Sequence, residues 1–208
     1  MALKINVKET AYSVLHCQND IVDPKGKFNY AGAWKQVQKY NMLDKLAKVI
    51  NATRDAGMMV IYGNIITQPG YPKETDKTFK IPLMSGFWKA GACAPGSWGA
   101  ENPKEIKPQP TDIIVENPAT DVFMHTDLDL ILRAHGIYNL VLTGVATNWV
   151  INSTCRHGME IGYNIIIIKD CCQSFNDEWH NFAVNVELPN LAQVVTMDEY
   201  LAALPKKK

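Results

Sequence analysis

The 208-residue chain has no long apolar run. Nothing in it approaches the roughly 20 residues that would cross a bilayer, so no membrane segment is expected. It also lacks a charge excess. The 21 acidic residues balance 21 basic ones, which removes the general basic field that draws proteins to nucleic acid. The only basic run, at residues 206–208, reads as a solvated terminus. Cysteine is sparse and poorly spaced for chemistry. Cys17, Cys93, Cys155, Cys171 and Cys172 make an odd count without a CxxC pair, so reduced thiols are expected. No His/Asp cluster has metal-ligand spacing, and neither a metal nor a cofactor is expected. The start of the chain lacks the basic residues and apolar stretch of a signal peptide, which predicts a cytoplasmic protein. No repeat or linker divides residues 1–208, a length that suits one domain with a sizeable core.

What is present is organised around residues 139–170. Residues 140–143 form an apolar run ending on Gly144, and residues 163–168 form a second, β-branched run. Between them Ile151, Cys155, Gly158, Met159 and Gly162 fall at helical spacing. Strand, helix and strand within about thirty residues make a βαβ unit, whose strands are parallel and buried on both faces. The alternation recurs elsewhere. Residues 12–17 and 58–62 read as strands flanking one helix over residues 34–56, with Gly57 as its stop. Residues 113–115 read as a strand, followed by a helix over 126–135 with Thr126 and Asp129 as a capping box. A helix over 178–187, a strand over 193–195 and a terminal helix capped by Thr196 and Glu199 complete the chain. This pattern predicts a three-layer αβα fold built on a doubly wound, mostly parallel, six-stranded Rossmann-like sheet. Residues 64–110 are rich in Pro and Gly, and connections of that length are commonly lids or binding loops. Phe87, Trp88 and Trp98 within it either wall a pocket or pack the loop onto the domain. Chemistry is expected at the carboxyl ends of the strands, within reach of residues 145–150.

Four segments carry a resemblance: HCQNDIV at 16–22, PGSWGAENPKEI at 95–106, ENPATDVFMHTDLDLILRAHGI at 116–137 and TGVATNWVINSTCRHGMEIGY at 143–163. In order and spacing they resemble the isochorismatase-like (cysteine hydrolase) superfamily, and the KDCC segment with His180 downstream is similar to it too. The resemblance covers most of the chain. It implies a three-layer αβα hydrolase, commonly oligomeric, acting on a small molecule of the amide, imide or vinyl ether type. In the amidases of that superfamily an Asp, a Lys and a Cys form the catalytic site. Laid on this sequence, those three positions carry His16, Asn117 and Val150.

These replacements bear on mechanism. Val150 offers no nucleophile. Cys17 and Glu116 neighbour two of the positions, but strand alternation points them to the other face. Cys155 lies more than one helical turn beyond Val150. The covalent amidase route is therefore closed, and His16 is expected to take the place of the Asp as acid or base near neutral pH. Burial at a strand end beside a helix N-terminus disfavours its imidazolium. Asn117 is expected to hold the substrate through uncharged hydrogen bonds. The resemblance also implies a cis peptide at Val145–Ala146 and a helix start whose N–H groups stabilise an oxyanion. Val145, Ala146, Trp149, Trp88 and Asp20 complete the expected substrate-binding set, with Asp20 hydrogen-bonding backbone near the site. His125 reads as a surface or cap residue.

Three readings stay open at this point. One is a hydrolase that acts through His16 without a covalent intermediate. Another is a catalytically inactive relative that binds a small ligand or protein partner through the inherited pocket. The third is an oligomeric structural protein with no ligand. The polar His16 favours the enzyme. Trp34, Phe87, Trp88 and Trp98, with no evident partners inside one domain, point to a homo-oligomer.

Overall fold

A computed structural model describes residues 3–67 and 82–205, so the three terminal lysines and residues 68–81 of the long connection lie outside the described residues. Six strands form one parallel sheet: β1 (Thr10–Leu15), β2 (Met59–Ile65), β3 (Ile113–Asn117), β4 (Asn139–Val145), β5 (Asn164–Gln173) and β6 (Gln193–Val195). Their order is β3-β2-β1-β4-β5-β6. Eight helices accompany them among the described residues: α1 (Asn19–Val22), α2 (Ala33–Lys39), α3 (Met42–Asp55), α4 (Pro82–Lys89), α5 (Leu128–Ala134), α6 (Asn152–Glu160), α7 (Asp177–Phe182) and α8 (Met197–Ala203).

Strand alternation sorts the core into two halves, as a sheet covered on both faces requires. Tyr12, Val14 and Val141 face Leu46, Val49 and Ile50 of α3 and Tyr200 of α8. Ala11, Leu15, Leu140 and Leu142 face Leu128 and Leu132 of α5 and Cys155 of α6. This is the expected three-layer αβα arrangement. Among the described residues no helix is long and apolar enough to cross a membrane.

Several local expectations need correction. The single helix over 34–56 is two helices, broken where Asn41 adopts a left-handed conformation (φ 50°) between α2 and α3. Asparagine is among the few residues that tolerate this backbone. The capping box of Thr126 and Asp129 does not form. Thr126 Oγ1 instead donates to the Val122 carbonyl (2.6 Å), and Asp129 pairs with Arg133 (2.9 Å) and Tyr163. The box at Thr196 and Glu199 does form. Phe87 and Trp88 are buried within the chain, ring centroids 5.1 Å apart, and Trp34 donates its Nε1–H to the Asn29 carbonyl (3.0 Å). Three of the four aromatics that pointed to an oligomer are thus partnered internally, and only Trp98 stays exposed.

The strand order positions the site. The chain winds from β1 to β3 towards one edge, then returns to place β4 on the other side of β1 and winds to β6. Connections leaving β1 and β4 therefore diverge and open a crevice at the carboxyl ends of these two strands.

Candidate active site

At the end of β1 the chain turns at His16, which takes a left-handed conformation (φ 53°) uncommon for a residue with a side chain. Its N–H is fixed on the Gly63 carbonyl of β2 (2.8 Å). The ring is buried, and Nε2 lies 3.1 Å from Oδ1 of Asn117 at the end of β3. The amide nitrogen of Asn117 donates to the Ala119 carbonyl. A carbonyl only accepts, so Oδ1 must be the atom facing His16, and His16 Nε2 must be the donor. Nδ1 is then the basic nitrogen of the neutral ring.

Beside His16 lies a cavity of about 30 Å³, room for about one or two water molecules. Its floor is the sheet's carboxyl edge: His16, Ile65, Val145 and Ala146. Ile21 and Phe28 come from the segment after β1, Met84 and Phe87 from α4, Thr120 from the loop after β3. Trp149 and Phe175 close the wall. The rings meet edge to face, with Phe28 5.0 Å from Phe87 and 5.8 Å from Phe175, and Trp149 6.2 Å from Phe175.

The Val145–Ala146 peptide is cis, as the resemblance implies. The turn that follows over Thr147–Ile151 is π-helical, and the Trp149 N–H donates back to the Ala146 carbonyl (3.0 Å), which takes that amide out of any oxyanion-binding set.

Other expected site residues lie away from the cavity wall. Asn117 stands behind His16 rather than facing the cavity. Val150 is fully buried on the opposite face of the sheet, among Leu15, Val122 and Ile151. Trp88 packs behind Phe87. The Asp20 carboxylate accepts the Lys27 N–H (2.8 Å) and the Cys93 N–H (2.7 Å), so it ties α1 to two loops. His125 is exposed. All five thiols are buried, and burial raises each of them: Cys155 to about 11, Cys171 to about 12, and Cys17, Cys93 and Cys172 likewise upward. A thiol held protonated is a poor nucleophile.

Sequence reasoning missed the supports of the cis-peptide turn. Thr147 Oγ1 and His180 Nδ1 of α7 are hydrogen-bonded at 2.9 Å, and Ser174 donates to Asn148 Oδ1 (2.5 Å). The loop carrying Thr120 is likewise held, by Asp121 on His157 of α6 (2.6 Å). Burial lowers the His180 pKa from its usual 6.5. The unfolded chain therefore binds a proton that folded His180 resists, and its share of stability is lost as pH falls below about 6.5. The urea midpoint of the parent should drop between about pH 7.5 and pH 5 by more than that of His180→Asn. Equal drops in the two proteins would contradict the assignment.

These features define a doubly wound αβα domain with a cavity at the switch point of its sheet. The chain belongs to the isochorismatase family: the isochorismatase domain matches residues 10–199. It is 32% identical to the ureidoacrylate amidohydrolase of Stutzerimonas stutzeri over 91% of this chain and 78% of that protein. It is 29% identical to an uncharacterized isochorismatase family protein of Escherichia coli O157:H7, over 97% of this chain and 100% of the other. Among solved structures, an isochorismatase family protein from Burkholderia thailandensis superposes with a TM-score of 0.78 at 27% identity, covering 98% of this chain and 99% of that one. The N-carbamoylsarcosine amidase of Thermoplasma acidophilum gives 0.71 at 26% identity over 91% and 97%. The family is one of hydrolases, and this chain shares its fold throughout.

Proposed function

We propose that this protein hydrolyses a small-molecule amide with water activated by His16, without a covalent cysteine intermediate. The observation that carries the reading is the His16–Asn117 pair at the cavity edge. Asn117 holds the Nε2–H tautomer, in which Nδ1 is the basic nitrogen. In the reaction a water oxygen bonds to the substrate carbonyl carbon while its proton moves to Nδ1. His16 then returns the proton to the leaving nitrogen as the carbon–nitrogen bond breaks, giving an acid and an amine. Amide cleavage is supported by the two named relatives, an amidohydrolase and an amidase. The substrate enters by displacing cavity side chains, and unbranched Met84 moves at the lowest cost.

Exhaustive iodoacetamide treatment of the folded protein should leave hydrolysis largely unchanged, because all five thiols are buried and protonated. Trapping of a thioester on any of them would overturn the proposal. Binding of amides without any hydrolysis would replace it with the inactive, ligand-binding reading.

We further propose that the protein is a homo-oligomer. Trp179, Phe182 and Val186 are exposed and follow one another at i, i+3 and i+7 along α7 and the turn beyond it. Such a row is an apolar face for a second copy. Sedimentation at micromolar concentration should give a mass above the 23.3 kDa of one chain. A monomer alone would contradict this.

A further inference from the structure

Gln173 ends β5 where an apolar side chain would be expected. It is buried, and it pairs in register with Val145 of β4, which floors the cavity. Paired residues of neighbouring strands share a face of the sheet. Alternation from Cys171, which belongs to the core half under α3, puts Gln173 on that same face. Phe175, two residues on, borders the cavity as well. Other buried amides at this edge are satisfied. Gln18 Oε1 accepts the Ile65 N–H (2.8 Å) and its Nε2 donates to the Ile65 carbonyl (2.8 Å), while Asn102 donates to the Cys17 carbonyl (3.1 Å). The side-chain oxygen of Gln173 accepts no hydrogen bond among the described residues. A buried acceptor without a donor destabilises the fold, where an apolar side chain of the same shape would not. A donor that arrives with a ligand accounts for such a group.

Resting on the hydrolase reading above, we propose that Gln173 is a specificity-determining residue whose Oε1 accepts an N–H or O–H from the non-reacting end of the substrate. Strand order sets the span. β4 lies between β1 and β5, so the strand end that carries Gln173 is two strand spacings, roughly 10 Å, from the one that carries His16. The substrate is then an elongated molecule, with the bond to be cleaved at His16 and a hydrogen-bond donor at its far end. A ligand without that donor leaves the Gln173 oxygen unpaired and binds less tightly.

Calorimetry with 4-aminobenzamide and 4-methylbenzamide tests this, because the two are close in shape and differ in one donor group. The parent should bind the amino compound about fivefold or more tighter, as a hydrogen bond to a buried acceptor allows. In Gln173→Met, whose unbranched side chain keeps the length of glutamine, that preference should vanish or reverse. The urea midpoint of this variant should equal or exceed the parent's, since an unpaired oxygen has been removed. No saturable binding of either compound up to its solubility limit, equal binding of the two by the parent, or an unchanged preference in Gln173→Met would each overturn the assignment. A lower urea midpoint in Gln173→Met would overturn it too, by showing the oxygen already satisfied in the free protein. Ammonia release is followed separately. An amino preference that Gln173→Met abolishes, with no ammonia released, would uphold the assignment and sink the His16 mechanism alone.

Discussion

His16→Ala should lower hydrolysis by a factor of about a hundred or more, the range a positioned general base contributes. The ring is buried at the cavity edge, so its loss removes the base from a place where bulk water is not already present in quantity. A second variant separates chemistry from structure. His16→Gln keeps a side-chain donor for Asn117 but has no basic nitrogen. It should hold the thermal stability of the parent more closely than His16→Ala and be equally inactive. His16→Asp restores the acid of the family's amidases, yet it should not bring back a covalent route, because Val150 offers no nucleophile. Parental rates in His16→Ala, measured on any amide the parent hydrolyses, would remove His16 from the mechanism.

Gly144→Ala should be the most disruptive single-methyl change near the site. Gly144 pairs with Leu15 where β4 runs beside β1, and its φ of 134° is one that side chains rarely adopt. A Cβ there would sit 2.0 Å from the Leu15 carbonyl oxygen, a backbone atom that cannot rotate away. The strained conformation and the overpacking together cost roughly 2–6 kcal/mol, a large part of the stability of an ordinary domain. The clash pushes apart the two strands that carry His16 and Ala146, so cavity and fold should fail together. A urea midpoint within error of the parent would show that the strand ends yield more easily than this geometry allows.

The fold was legible where its determinants are local. Continuous apolar runs, Gly57 after the α3 segment and the Thr196–Glu199 box each lie within a few residues of the element they specify, and the box forms as read. The break at Asn41 was not legible, because neither Gly nor Pro stands there to mark it. Thr126 misled because it satisfies the local capping rule, while in the structure its hydroxyl turns back to the Val122 carbonyl. The candidate site divides in the same way. His16, Val145, Ala146 and Trp149 were found from motif position, and each borders the cavity. Phe28, Met84 and Phe175 were not, because three separate connections bring them to one wall. The partnership of Thr147 with His180 spans 33 residues. Its only signal was the place of His180 downstream of the KDCC segment. Val150 illustrates the converse: family position marked it, but its side chain belongs to the core on the other face.

The central claim is hydrolysis by His16-activated water rather than by an enzyme thiol. It is tested most directly by acid-quenching the parent during steady hydrolysis of its best amide and weighing the intact protein, with His16→Ala run alongside. The expected result is an unmodified chain mass in the parent while ammonia accumulates, and little ammonia from the variant. A mass increase equal to the acyl group on any cysteine of the parent, or equal ammonia from both proteins, would contradict it.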